Sequence, residues 1–153
     1  MSRRAPLILI SALMLAIAAP AAGQSRRSKN PFHGKTTNQV LSELTRSGNA
    51  YGAAHRDERS LMTHQFYGRR DDYGYRTTGR GIVGQQGQAA SQVTAAKQEL
   101  QRRMQNISDP RVRGRISRKI ADVERGMMRQ ESRTRARVPY LNAGGARYKP
   151  SWK

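Results

Sequence analysis

The first fifth of the chain and the rest of it carry different hydrophobic patterns. From Ala5 to Ala19 the residues are almost all apolar on every side, behind Arg3 and Arg4 and ahead of Pro20-Ala21-Ala22-Gly23-Gln24. A charged start, an apolar run and a zone of small residues form the order of a secretory leader. Pro20 breaks the apolar helix and leaves small side chains extended for a peptidase, so residues 1–23 are expected to be a signal peptide cut after Gly23. An apolar run this short falls below the roughly 20 residues of a membrane anchor. A mitochondrial presequence would be amphipathic instead. Arg3-Arg4 also raises the twin-arginine export route, but the aromatic and lysine that usually follow are missing.

Beyond the leader, apolar residues recur only in short stripes. Residues 24–37 form a basic, polar arm without periodicity. Within 38–68 two short helices are predicted. The first is capped by Asn38, runs from Gln39 to about Ser47 with Val40, Leu41 and Leu44 on one face, and ends at Gly48-Asn49. The second, Ala53 to Tyr67, carries Leu61, Met62 and Phe66, with Gly68 as its stop. Residues 69–88, broken by Gly74, Gly79, Gly81, Gly84 and Gly87, read as a flexible Gly/Arg/Tyr linker.

The strongest periodicity lies between 89 and 137. Ala89, Val93, Ala96, Leu100, Met104 and Ile107 make one stripe. Val112, Ile116, Ile120, Val123 and Met127 make another, on a helix from Pro110 to about Arg135. Asp109 suits the N-cap and Pro110 the first helical position. Two amphipathic helices across so short a break predict an antiparallel helical hairpin, with a single helix kinked at Pro110 as the alternative. Residues 138–153 are a Gly/Pro-broken, flexible tail. The expected fold is therefore mainly α: a leader, flexible basic segments and one helical hairpin, largely disordered elsewhere.

Composition sharpens this picture. The 153 residues hold 29 Lys and Arg against 10 Asp and Glu, a formal net charge of +19, and no Cys. No disulfide can staple the exported chain. Only seventeen Leu, Ile, Val and Phe remain after residue 23, a share below the roughly 20% that marks chains unable to fill a core. A hairpin alone would bury too little, so self-association or a partner's surface is expected to complete it. The charge excess implies anionic partners; arginine in particular suits phosphate, carboxylate and sulfate.

Candidate chemistry is sparse. Gly79-Arg80-Gly81-Ile82-Val83-Gly84 fits a dinucleotide-binding fingerprint in spacing, but no buried strand precedes it and no second strand follows. His33, His55 and His64 lack metal-ligand spacing and read as surface histidines, although His55 and His64 with Asp71 or Asp72 could gather round an ion. No nucleophile-base pattern is visible, so no enzyme, cofactor or metal is expected. The informative feature is polar: Arg111, Arg115, Arg118, Arg125, Arg129 and Arg133 fall within about 80° of one another at 3.6 residues per turn, away from the apolar stripe. Like charges so placed repel, and a row of guanidinium groups matches a linear polyanion. The expected function is that of an exported, non-enzymatic protein, periplasmic, in the cell envelope or secreted. It would bind lipid headgroups, acidic polysaccharide or an acidic protein. The alternative partner is nucleic acid: extracellular DNA, or organelle RNA if the leader is a presequence. A membrane-active cationic peptide fits less well, because the apolar stripe is narrow and lacks Trp and Phe.

Overall fold

The computed structural model describes residues 30–68, 72–143, 145 and 147–152. The expected leader, most of the basic arm and residues 69–71 lie outside the described residues. Three α-helices account for most of the rest: α1 (Thr37–Tyr67), α2 (Asp72–Met104) and α3 (Pro110–Asn142). The protein is mainly α, and all three helices fall in one unit, Pro31–Lys153. Val40 and Leu44 near the start of α1 share a core with Val93, Ala96 and Leu100 late in α2 and with Ile116 and Ile120 early in α3. That pairing of beginnings with ends makes an up-down-up three-helix bundle. Here α1 packs against both other helices, which meet each other over a shorter stretch.

The local signals explain where helices start better than where they continue. Thr36, not Asn38, caps α1. Its hydroxyl accepts the Gln39 amide at 3.3 Å while the Gln39 side chain accepts the Thr36 amide at 2.7 Å, a reciprocal capping box. The helix then passes through Gly48-Asn49, where a stop is expected, and the two short helices become one of 31 residues. The reason is tertiary: Val123 of α3 presses onto Gly48, where a Cβ would stand 2.6 Å from its Cγ1. The bare backbone lets two helices approach, and that packing offsets the helix-weakening effect of glycine. The turn into α3 matches its prediction: the Asp109 carboxylate accepts the Arg111 amide at 2.8 Å and Pro110 follows at the first position.

In α2 the difference from expectation is larger. This helix begins at Asp72, inside the stretch assigned to a linker, and contains Gly79, Gly81, Gly84 and Gly87. Ile82 and Ala89 are buried on its inner side, and the indole of Trp152 covers Gly79 so closely that any Cβ there would overlap the ring. The tail also differs from its predicted form. The helix α3 runs through Pro139 to Asn142, and Tyr148 folds back, 8% exposed. Its amide donates to Asn142 Oδ1 at 2.6 Å and its hydroxyl bonds Gln65 Oε1 at 2.9 Å. Met62, Leu141 and Tyr148, with Phe66, Val138 and Trp152 around them, form a second apolar core at that end of the bundle.

The predicted hairpin stripes do pack inward, but onto α1. Phe32, from the expected flexible arm, joins the first core at 5% exposure. Arg103 holds that segment by donating to the carbonyls of Phe32 (3.2 Å) and Lys35 (2.8 Å), and is itself oriented by the buried Glu99 carboxylate at 2.6 Å. The apolar surface that the two stripes lack is thus supplied from within the chain.

Candidate functional site

The predicted arginine row stands on one unbroken helix. Arg111, Arg115, Arg118, Arg125, Arg129 and Arg133 are all exposed, and from the first to the last the helix rises about 33 Å at 1.5 Å per residue. Arg125 reaches Asp122 at 2.5 Å, and Arg118 donates to the Gly114 carbonyl at 3.3 Å rather than to Asp122, the partner its spacing allowed. Apart from Arg125, the arginines of the row make no ion pair among the described residues. The charge is distributed by helix. In sequence α1 carries three basic and three acidic residues, α2 five and two, and α3 ten and three. The helix that packs against both others is neutral, and α3 alone has a net charge of +7.

A second site lies inside, between the two apolar cores, and the sequence did not announce it. His55, read as a surface histidine, is 5% exposed, whereas His33 and His64 are exposed. Its Nδ1 faces the Thr134 hydroxyl at 3.0 Å and Glu58 Oε2 at 3.6 Å. Glu58, 1% exposed, accepts from the Gln86 amide at 2.8 Å. Arg59 donates to Thr134 Oγ1 and to Gln130 Oε1, both at 3.0 Å, and the Tyr51 ring stands edge-on to His55 with centroids 4.5 Å apart. Every helix contributes to this layer. Its members are up to 79 positions apart, which is why no local spacing revealed it.

The layer's chemistry follows from its geometry. The Thr134 hydroxyl, the Glu58 carboxylate and the Gln86 amide all face the same ring nitrogen of His55. Burial raises the pKa of the Tyr51 phenol; the Glu131 charge adds to the shift, Arg135 opposes it and Glu58 adds to it again. Burial also lowers the pKa of the Arg59 guanidinium, helped by Arg133, Arg56 and Arg137. Beside the layer opens a cavity of about 450 Å³ lined by Tyr51, His55, Glu58, Gln86, Glu131 and Trp152, among others. Another, of about 470 Å³, lies between α1 and α2 and includes Glu43, Arg46, Ala50, Asp57 and Gln92.

The remaining sequence candidates are placed plainly. The Gly79–Gly84 pattern sits inside α2, not in the strand-to-helix turn that cradles a pyrophosphate. Among the described residues no three His, Asp or Glu side chains gather as a metal cluster, and no helix is long and apolar enough to cross a membrane. At the end of the bundle where α1 and α3 finish and α2 begins, Tyr67, Tyr73 and Tyr140 are 74%, 81% and 65% exposed, and the Arg137 guanidinium lies 4.8 Å over the Tyr140 ring. No protein-family model, no curated protein and no solved structure matches the chain.

Proposed function

We propose that this is an exported, non-enzymatic protein that uses the outer face of α3 to hold anionic polymers or surfaces: lipid headgroups, acidic polysaccharide or an acidic protein partner. The observation that carries the reading is the row of six exposed arginines along α3, five of them without an ion pair among the described residues. A largely unneutralised row on one helix presents its charges at backbone intervals of about 4.5–10 Å and needs no ordering of the backbone on binding, so less affinity is lost to entropy. Export rests on the tripartite leader, and N-terminal sequencing of the native protein tests it. A mature chain beginning near Gln24 is expected, and one still beginning at Met1 or Ser2 overturns export by cleavage.

Nucleic acid is the second reading, favoured by the three exposed tyrosines, since flat rings beside arginines stack on bases. Binding isotherms of the full-length protein against heparin, anionic vesicles and single-stranded DNA at several salt concentrations separate the readings. Changing Arg118, Arg125 and Arg129 to Gln should leave helicity intact and lower the slope of log affinity against log salt by about 2–3, one counterion being released per neutralised charge. The same triple change at Arg26, Arg27 and Lys29 is the control, and an equal loss there assigns binding to net charge alone. Replacing Tyr67 and Tyr140 by Ala should weaken only the DNA complex.

A further inference from the structure

The seam between α1 and α3 gathers positive charge that folding leaves uncancelled. Along it, Arg56 and Arg59 of α1 stand beside Arg133 and Arg137 of α3. We propose that the guanidinium groups of Arg56, Arg59, Arg133 and Arg137 together bind a doubly charged tetrahedral anion, a phosphate monoester. The site shares Arg133 with the α3 row and rests on the reading that the protein meets anionic material. What it adds is a second helix and a preference for one chemical group.

Three observations support the assignment. First, two of the arginines are held in place. Arg59, half-buried, donates to Gln130 Oε1 and Thr134 Oγ1, both at 3.0 Å, and to the Gln130 carbonyl at 3.3 Å. Arg137, also half-buried, donates to Thr63 Oγ1 at 2.6 and 3.2 Å. These partners are neutral oxygens, which fix a guanidinium without cancelling its charge, and arginine does not give up its proton. Second, the exposed pair lies next to them. A Cβ on the buried Gly52 would stand 3.6 Å from Gln130 Cγ and 3.7 Å from Arg56 Nη1, so the Arg56 fork lies close to the residue that holds Arg59. Arg133 stands three positions after Gln130 and four before Arg137 on α3, the spacing of neighbours on one helix face. Third, no carboxylate answers them. None of Arg56, Arg59, Arg133 and Arg137 makes an ion pair among the described residues, and Glu131 is paired with Arg135. Burial lowers the Arg59 pKa, and Arg133, Arg56 and Arg137 lower it further, each by more than Glu58 raises it. A phosphate monoester carries about two charges and three strong acceptor oxygens. It can accept from several planar forks at once and relieves their repulsion more than a singly charged carboxylate or phosphodiester.

Methyl phosphate and methyl sulfate share one shape and differ by one charge at about pH 8, above the monoester's second pKa of roughly 6. In calorimetric titrations of the full-length protein, methyl phosphate should give saturable heat and methyl sulfate should bind at least about tenfold more weakly. Arg56→Gln and Arg133→Gln, both at exposed positions, should each weaken methyl phosphate by about five- to tenfold. Arg80→Gln removes an equal charge from an exposed position on α2 and should change binding by less than about twofold, since salt screens a distant charge. Should a variant lose its helical circular dichroism, the probe pair on the unaltered protein decides. Equal binding of the two probes, no saturable heat from methyl phosphate, or equal losses in Arg56→Gln and Arg80→Gln would overturn the site. Any of these beside intact heparin binding through α3 removes the seam alone. Methyl phosphate binding that depends on Arg56, found where the heparin test has failed, keeps the seam and removes the linear polyanion. Vesicles of phosphatidic acid and soluble glucose 6-phosphate carry the same group on a lipid and on a sugar. Whichever of them Arg56→Gln weakens is the source the site takes, and a loss with neither overturns it.

Discussion

Gly48 stands where a Cβ would come within 2.6 Å of the branched Val123 side chain, and nothing stands within 4 Å of the Cβ positions of Gly81, Gly84 and Gly87. The two settings give opposite expectations for one substitution. Gly48→Ala should lower stability by about 1–3 kcal/mol, the cost of overpacking, and adding Val123→Ala should return part of it. Gly81→Ala, Gly84→Ala and Gly87→Ala should each raise stability by about 0.5–1 kcal/mol, because only helix propensity is at stake. Urea unfolding followed by circular dichroism reads both. Tyr148 supplies a pH test. Burial, with smaller contributions from Glu58 and Tyr75, pushes its phenol up to about 12 from 10.0. A folded-state pKa raised above the unfolded value means that the folded state holds the proton more tightly. Tyr148 thus contributes stability that is fully present below pH 10 and is lost as the pH rises towards 12. Tyr148→Phe should be flatter than the unaltered protein over that alkaline window.

At the scale of elements, the sequence read helices well where their signals were local. The stripes at 89–107 and 112–127 and the Asp109-Pro110 start are properties of neighbouring residues, and each is present in the bundle. Continuity was not local. Gly48-Asn49 and the glycines of 72–88 carry stop signals that were outweighed by Val123, Trp152 and the buried face of Ile82 and Ala89. The arginine row was legible because it belongs to one helix. The His55–Glu58–Thr134 layer was not, because its partners meet only once three helices are assembled. The segment 147–152 behaves as a further packed element: Tyr148 and Trp152 cap Met62 and Leu141. Ending the chain at Ala146 should therefore cost about 3 kcal/mol or more, the burial of two large side chains. The thermal midpoint should fall, and hydrogen exchange should quicken first at the amides around Met62 and Ile82. A chain of unchanged stability would mean that this second core contributes nothing.

For the whole molecule, charge lies mostly outside the core. The neutral α1 takes the position between the two basic helices, the six row arginines are exposed, and like charges crowd around Arg59, whose pKa Arg133, Arg56 and Arg137 lower after burial. A polyanion that prefers the folded face should raise the thermal midpoint. Ligand at about 100 times its Kd would contribute about 2.7 kcal/mol if the unfolded chain did not bind. The unfolded chain is equally basic, so the measured gain should be smaller, and it should shrink further in the Arg118, Arg125 and Arg129 triple variant. Stabilisation by heparin that is identical in both proteins would assign the effect to bulk charge.

The uneven division of charge among three helices has a consequence for approach. With α1 neutral and α3 at +7, the centre of positive charge of the three helices is displaced from the bundle axis toward α3, which gives the bundle a permanent electric dipole. Near an anionic wall such a body experiences a torque as well as an attraction, over roughly the 8–10 Å that salt leaves unscreened. It turns before it touches. A flexible polycation of equal charge would land in any pose, whereas this bundle should settle α3 first, its helix axis along the surface. Neighbouring molecules would then lie in the same orientation, as tiles with the face shared by α1 and α2 open to solution.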